Sequence, residues 1–153
     1  MPAIITHNKI FKGTIDYLHK TKNRQYLHNS IKALFKTDEY MNAALFGTIG
    51  PNIFDYIPFR NRKHYYGHEI SFFLHNGGAG EFLSDIVKTI FEYSDKNTNW
   101  AATQRAYLYG LISHLVADSV FHPFIFYFSG FPDVFSRREV NYYREQNLLF
   151  MYN

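Results

Sequence analysis

The segment from Ala106 to Pro123 combines a long apolar run with three polar side chains spaced four residues apart, His114, Asp118 and His122. On an α-helix, at about 100° per residue, these three fall within roughly 80° of one another, so one face carries two imidazoles and a carboxylate. An unpaired carboxylate is costly to bury, so Asp118 needs a cationic or hydrogen-bonding partner. A divalent metal would supply that partner, and a structural His–Asp pair is the alternative interpretation.

Composition limits the kind of metal site that the chain can build. The 153 residues include no cysteine, which excludes disulfides and thiolate ligands. A metal would therefore be held by His, Asp, Glu, Asn or main-chain groups, and this suits zinc with nitrogen and oxygen ligands. A hydrophobic content of 46% with 20% aromatic residues predicts one folded domain over residues 1–153.

Charge and the N-terminal segment constrain partners and compartment. The net charge is only +3 with neutral histidines, and the scattered basic residues predict no general nucleic-acid surface, although they do not exclude a nucleic-acid substrate. The first residues lack a basic region followed by a long apolar run, so we expect no signal peptide and a cytoplasmic protein. Histidines, Asp118 and Pro123 interrupt the apolar run from Ala106 to Phe128, so we expect no transmembrane segment.

Apolar residues recur at helical spacing through nearly the whole chain, and alternating strand patterns are absent. The predicted fold is all-α, a multi-helix bundle around a long central helix at about residues 99–121. A loop is expected at residues 47–52 and a flexible glycine-rich hinge at residues 76–80. The other helices are predicted at residues 6–20, 25–35, 37–47, 66–74 and 81–93, with a last helix from about residue 134.

Several short pieces together resemble the zinc-dependent phospholipase C family, which is related to the fungal single-strand-specific nucleases. The pieces occur in the family's order: Thr6-His7, Gly50-Pro51-Asn52, His68 and His114-x3-Asp118-x3-His122-Pro123, with a weaker echo in Phe135-Ser-Arg-Arg-Glu139. The resemblance implies an all-helical domain that holds up to three zinc ions and hydrolyses a phosphodiester. By position, His68, His114 and Asp118 would hold the first zinc. His7 and the chain's amino terminus would hold the second, which Asp118 bridges.

The third zinc would use His122 and Glu139, and the sequence departs from the family at two places. The family has an acid where this chain has Asn52, whose side chain is neutral and cannot act as a general base. Asn52 would instead contribute its carbonyl oxygen, or Asp55 would take over the acid's role. Phe135 replaces a histidine ligand of the third zinc. The resemblance therefore implies one to three zinc ions, with the first site retained.

The implied chemistry is hydrolysis by a zinc-bound water, whose pKa is lowered toward about 7. The hydroxide would attack phosphorus in line, with phospholipid at a membrane surface as the substrate that the family suggests. Arg60 and Arg62 would add phosphate contacts, although a solvated charge run is the simpler interpretation of both.

Three alternatives stay open. The first is a catalytically impaired metal-binding helical domain, and the second is a nuclease-type phosphodiesterase on the same fold. The third is a helical interaction module without metal. Four other histidines are interpreted as having no role in the site: His19, His28, His64 and His75.

Overall fold

The computed structural model describes residues 4–21, 25–56 and 66–130, which form six α-helices and one 3-10 helix. No strand occurs among these residues, so the all-α prediction is confirmed. The predicted last helix with Glu139, and also Arg60, Arg62 and Phe135, lie outside the described residues. The elements in chain order are α1 (Ile4–Lys20), α2 (Gln25–Leu34), α3 (Asp38–Gly47), the 3-10 helix (Gly50–Tyr56), α4 (Tyr66–Asn76), α5 (Ala79–Glu92) and α6 (Asn99–Ser129).

Threonines precede two of the helices. Thr37 lies before α3 in an extended conformation, and the acidic Asp38 and Glu39 occupy the first turn, where they interact favourably with the helix dipole. Thr98 caps α6, because its hydroxyl oxygen accepts a hydrogen bond from the Ala101 amide at 3.2 Å. Both helices therefore begin where the sequence predicts.

The predicted end of the central helix is wrong, because α6 continues through Pro123 as far as Ser129. A proline inside a helix removes one backbone donor, here the donor to the Ser119 carbonyl oxygen. The apolar residues that follow, including the buried Ile125, outweigh that single loss. Helix α6 ends at Gly130, whose φ of 87° is incompatible with a continuing helix.

Two predicted loops are also shorter than expected. Helix α5 begins at Ala79, inside the expected hinge, because only Gly77 and Gly78 interrupt the helical path. The 3-10 helix begins at Gly50, inside the expected 47–52 loop. Proline is well tolerated in the first turn of a helix, where its missing amide donor is not needed, and Pro51 occupies that position.

The core lies where α1 and α2 meet α3 and α6. Phe11 and Phe35 contact edge-to-face with their ring centroids 5.5 Å apart, and Phe35 also contacts Tyr109 of α6. The buried residues of this cluster are Phe11, Ile15, Ile31, Phe35, Ala44 and Ala106. This cluster attaches α1 to α6, and α1 begins beside the polar stretch of α6.

Helices α3 and α6 approach each other backbone to backbone. A Cβ atom on Gly110 would lie 1.9 Å from the Ala44 carbonyl oxygen, and one on Gly47 would lie 2.2 Å from the Tyr107 carbonyl oxygen. Only glycine fits at both positions. The close approach places Thr48, directly after α3, against the next turn of α6.

The side of α6 that faces away from the bundle is apolar and largely exposed, with Val116, Val120, Phe124 and Tyr127 along it. Within the described ranges, α6 is the helix that is long and apolar enough to cross a membrane, judged by length and composition alone. The core helix of a water-soluble protein can meet the same criterion. The prediction that no segment crosses a membrane therefore stays a prediction.

Candidate metal centre

Asp118 lies at the centre of a cluster of four histidines. Its Oδ1 atom lies 3.3 Å from His7 Nε2 and 3.3 Å from His122 Nε2. Its Oδ2 atom lies 3.1 Å from His114 Nε2 and 3.4 Å from His75 Nε2. Each carboxylate oxygen therefore faces two imidazole nitrogens, although only 5% of the Asp118 surface is exposed.

Three helices supply the cluster. Helix α6 contributes His114, Asp118 and His122 from one face, as the four-residue spacing predicts. Helix α1 contributes His7 from its second turn, and the His7 ring stacks on the His114 ring with centroids 4.2 Å apart and an interplanar angle of 26°. Helix α4 contributes His75 from its last turn.

Backbone carbonyls set the protonation of two imidazoles. His114 Nδ1 donates to the Thr48 carbonyl oxygen at 2.9 Å, and His75 Nδ1 donates to the Ser71 carbonyl oxygen at 2.6 Å. A carbonyl oxygen only accepts, so Nδ1 carries the hydrogen and Nε2 of the neutral ring carries a lone pair. The two Nε2 atoms lie 3.3 Å apart beside Asp118 Oδ2. With both rings neutral, three acceptor atoms converge, and a positive charge, either a metal ion or a proton on one of the rings, stabilises them.

Several buried polar atoms of the cluster have no hydrogen-bond partner within the part of the chain that the structure describes. They are both ring nitrogens of His7, both carboxylate oxygens of Asp118 and Nε2 of His122. The atoms are close enough for hydrogen bonds, but their orientations do not suit them. Buried polar atoms are normally satisfied, so this set fits a ligand. Nitrogen and oxygen donors of this kind suit zinc, and the ligand atoms of His7, His114 and Asp118 lie within 4.8 Å of one another.

The electrostatics keep the cluster in the form that binds cations. Burial by itself would raise the pKa of the Asp118 carboxyl, but the surrounding imidazoles, His114 first, hold that pKa far below its usual range. Burial lowers the pKa of His7, and the opposing effect of Asp118 is smaller. A charged carboxylate beside a neutral imidazole is the protonation state that a metal requires.

The backbone around Gly50 supports the His114 ring. Gly50 has a φ of +56°, a left-handed conformation that favours glycine. A Cβ atom there would lie 2.5 Å from His114 Cδ2, so the missing side chain makes room for the ring. Thr48 is fully buried, and its hydroxyl contacts the Asn8 side-chain oxygen and the Leu45 carbonyl oxygen. This network joins α1 and α3 to the ring that Thr48 orients.

Asn52 and Asp55, the predicted catalytic residues, both lie on the 3-10 helix. Asn52 is buried, and its Oδ1 atom has no hydrogen-bond partner among the described residues. Asp55 is half-buried, and its Oδ2 atom accepts a hydrogen bond from Ser71 Oγ at 3.1 Å. Ser71 lies one helical turn before His75, so Asp55 packs on the face of α4 that reaches the cluster.

The structure therefore brings together four of the six predicted ligands: His7, His114, Asp118 and His122. His68 lies in α4, but its side chain is outside the described part of the structure, as is all of Glu139. His75 was missed, because a lone histidine beside two glycines gives no signal of its own. Its position seven residues after His68, two helical turns along the same face, was the available clue.

The family model described as zinc dependent phospholipase C matches residues 6–152 of the chain. This range contains every described residue of the cluster. No curated protein and no solved structure matches the chain.

Proposed function

The chain belongs to the zinc-dependent phospholipase C family, and we propose that it is a zinc-dependent hydrolase of phospholipid phosphodiesters. One observation carries the proposal. The buried Asp118 carboxylate faces four imidazole nitrogens at 3.1–3.4 Å, and its oxygens have no hydrogen-bond partner among the described residues. This many nitrogen and oxygen ligand atoms around one carboxylate supports a bound cation rather than a structural ion pair.

We assign His7, His114 and Asp118 as the first zinc ligands, because they are the most deeply buried members of the cluster and their ligand atoms lie within 4.8 Å of one another. The family resemblance implies His68 as a ligand, and we propose His75 as a ligand from the same helix, since its Nε2 atom lies 3.4 Å from Asp118 Oδ2. His122 approaches the other oxygen. A carboxylate with two imidazoles at each oxygen supports one zinc ion, or two that share Asp118.

Zinc, when bound, supplies positive charge that polarises a phosphoryl oxygen and makes a coordinated water more acidic. The protein contributes orientation. The Thr48 and Ser71 carbonyl oxygens hold the rings of His114 and His75, and such partners also raise the basicity of a ligand. Asp55 is our candidate for the group that accepts the proton of the attacking water, because a carboxylate can do so and the Asn52 amide cannot.

The exposed side of α6 supports phospholipid over nucleic acid as the substrate. Between residues 106 and 129, Asp118 and the two histidines are the sole ionisable side chains apart from tyrosines, and the exposed residues are mainly apolar. Binding of nucleic acid depends on lysine and arginine contacts to phosphates, which this surface lacks. An uncharged apolar surface is suited to contact with a lipid.

The test combines metal content with turnover on protein purified without a histidine tag. We expect at least one zinc per chain by elemental analysis, and hydrolysis of dihexanoylphosphatidylcholine that a chelator abolishes and zinc restores. H75A should lower zinc affinity at least tenfold. H19A, at an exposed position of α1, should not change it. Full activity of metal-free protein would refute the proposal. Cleavage of a single-stranded oligonucleotide but not of the phospholipid would show that the substrate is nucleic acid.

A metal-binding domain without turnover is the second candidate, and Asn52 favours it. The family has an acid at this position, whereas Asn52 is neutral and buried with its oxygen unpartnered among the described residues. This candidate predicts zinc without hydrolysis, and activity that appears only in N52D. Wild-type turnover above the chelated background excludes it.

A further inference from the structure

A cavity of about 570 Å³ lies between α3, α5 and α6, away from the histidine cluster. It has an almost entirely apolar wall, formed chiefly by Phe46, Ile86, Ile90, Trp100, Gln104 and Tyr107. Pockets that bind small molecules in proteins have volumes of about 300–1,000 Å³, so this one is large enough for a ligand.

The apolar face of α5 forms one wall of the cavity. Ile86 and Ile90 follow each other on one face of α5, as in a helix that buries an apolar side. Yet none of the described side chains of α5 is fully buried. The apolar face of α5 is thus turned toward a space that the described residues leave unfilled.

The cavity is separate from the metal centre. Tyr107 and His114 lie seven residues apart on the same face of α6, which is about 10 Å along the helix. Between them Gly110 is in backbone contact with Ala44, which leaves no room for a side chain. A molecule in the cavity is therefore not a ligand of the proposed zinc.

The wall indicates the chemistry of the ligand. Among the residues that the structure describes, no charged side chain lines the cavity, so a carboxylate or an ammonium group would lose its solvation without a partner. One polar atom is conspicuous: Gln104 Oε1 is buried and has no hydrogen-bond partner within the described ranges. Whichever way the amide is turned, this position needs a partner. A hydroxyl group can both donate and accept.

We propose that the cavity binds an uncharged lipid that has one aliphatic chain and a hydroxyl group, such as a long-chain alcohol or a monoacylglycerol. The chain lies against Ile86, Ile90 and the aromatic rings, and the hydroxyl group pairs with the Gln104 amide. This inference does not depend on the proposed hydrolase activity, because none of its residues belongs to the metal centre.

Trp100 makes a direct binding test possible, because it is the chain's single tryptophan and it lines the cavity. A brominated chain quenches tryptophan emission on contact. We expect saturable quenching by 12-bromododecan-1-ol below its solubility limit. Quenching by 12-bromododecanoic acid should require at least about tenfold more ligand, because its charge would be buried unpaired. Equal quenching by both, or none by the alcohol, overturns the proposal.

Three variants locate the binding. T103F fills the cavity from α6 and should abolish saturable quenching. T14F is the matched control, since Thr14 is exposed on α1 and, like Thr103, bonds its hydroxyl to the carbonyl oxygen four residues earlier. Q104L should weaken the alcohol about threefold to tenfold, the usual effect of one hydrogen bond.

Circular dichroism and zinc content should be unchanged in all three variants. If T103F is misfolded, Q104L still decides the proposal. Unchanged affinity for the alcohol in folded Q104L would contradict the assignment of the hydroxyl partner.

Discussion

The single carboxylate of Asp118 lies among four imidazoles, two beside each oxygen. A buried charge is stable only when its partners stay in place, and removing one partner leaves the others uncompensated. The low pKa of this carboxyl keeps it negatively charged at all physiological pH values. Its charge must therefore be compensated by the imidazoles or by a metal.

Replacing this carboxylate should remove the metal. We expect D118N to retain almost no zinc and to lower the unfolding free energy of zinc-loaded protein by about 3–5 kcal/mol, because a neutral amide cannot balance a divalent ion. Elemental analysis and urea denaturation measure both effects. D85N, at an exposed position of α5, is the control and should match the wild type. Undiminished zinc in D118N would exclude Asp118 as a ligand.

Acid should destabilise the metal-free protein in two stages. The pKa of His7 is lower in the folded protein than its usual 6.5, so the unfolded chain takes up this proton first, and stability is lost as the pH falls below about 6.5. The pKa of Asp118 is also lowered by folding, so its contribution is present above about pH 4 and is lost below it. Urea denaturation at several pH values would measure both stages. Stability that increases on acidification contradicts both assignments.

Gly50 provides a residue-scale test of how the His114 ring is positioned. G50A places a side chain at positive φ and 2.5 Å from the ring, and should cost about 2–4 kcal/mol of unfolding free energy. Zinc affinity should fall with it. G13A is the matched control, because Gly13 lies in α1 with open space around its Cα, and it should stabilise by up to about 1 kcal/mol. Similar stability of the two variants would show that Gly50 does not constrain the ring.

At the scale of elements, α6 has two sides with different tasks. One side carries the histidine cluster, packs on α1 and α3 and meets His75 of α4, while the other exposes apolar side chains. The backbone contact with α3 at Gly110 and Gly47 sets how deeply Thr48 approaches His114. The geometry of the cluster thus depends on a helix–helix distance that two glycines permit.

Widening this helix pair should disturb the cluster at a distance. G110A would put a methyl group 1.9 Å from the Ala44 carbonyl oxygen, so we expect a loss of about 1–3 kcal/mol despite alanine's higher helix propensity. Zinc affinity should drop as well, because Thr48 would move away from His114. G80A, in the open first turn of α5, tests the propensity effect alone and should be neutral or stabilising. A G110A protein as stable as G80A would contradict the close packing.

At the scale of the whole molecule, the cluster joins segments far apart in the chain. His7 is near the start of the described structure, His75 is in its middle and His122 is near its end. A ligand that binds only when these helices are assembled stabilises the entire fold by mass action. A metal bound at the cluster would therefore stabilise the whole fold in addition to its chemical role.

Removing zinc should lower the melting temperature of the whole protein. With free zinc at about a hundred times its dissociation constant, linkage contributes about 2.7 kcal/mol, or roughly 5–10 °C for a chain of this size. Differential scanning calorimetry before and after dialysis against a chelator measures the shift, and added zinc should reverse it. An unchanged melting temperature would favour the interpretation in which the helices assemble without metal.

Most of the secondary structure was predictable because helical periodicity is a local property. The start of α3 after Thr37 and the start of α6 after Thr98 follow from short-range hydrogen bonding and charge. The predicted end of α6 near Pro123 was wrong because the helix beyond it is stabilised by tertiary packing, which buries Ile125. Boundaries decided by tertiary packing are the ones that periodicity misses.

The sequence by itself determined that His114, Asp118 and His122 share one helical face, since four residues make about one turn wherever the helix lies. Only the tertiary structure decided that His75 joins the cluster, how closely His7 approaches Asp118, and that Gly50 leaves space for the His114 ring. These residues meet through the packing of α1, α3 and α4 on α6. Such contacts depend on distances between helices, which the spacing of residues along the chain does not fix.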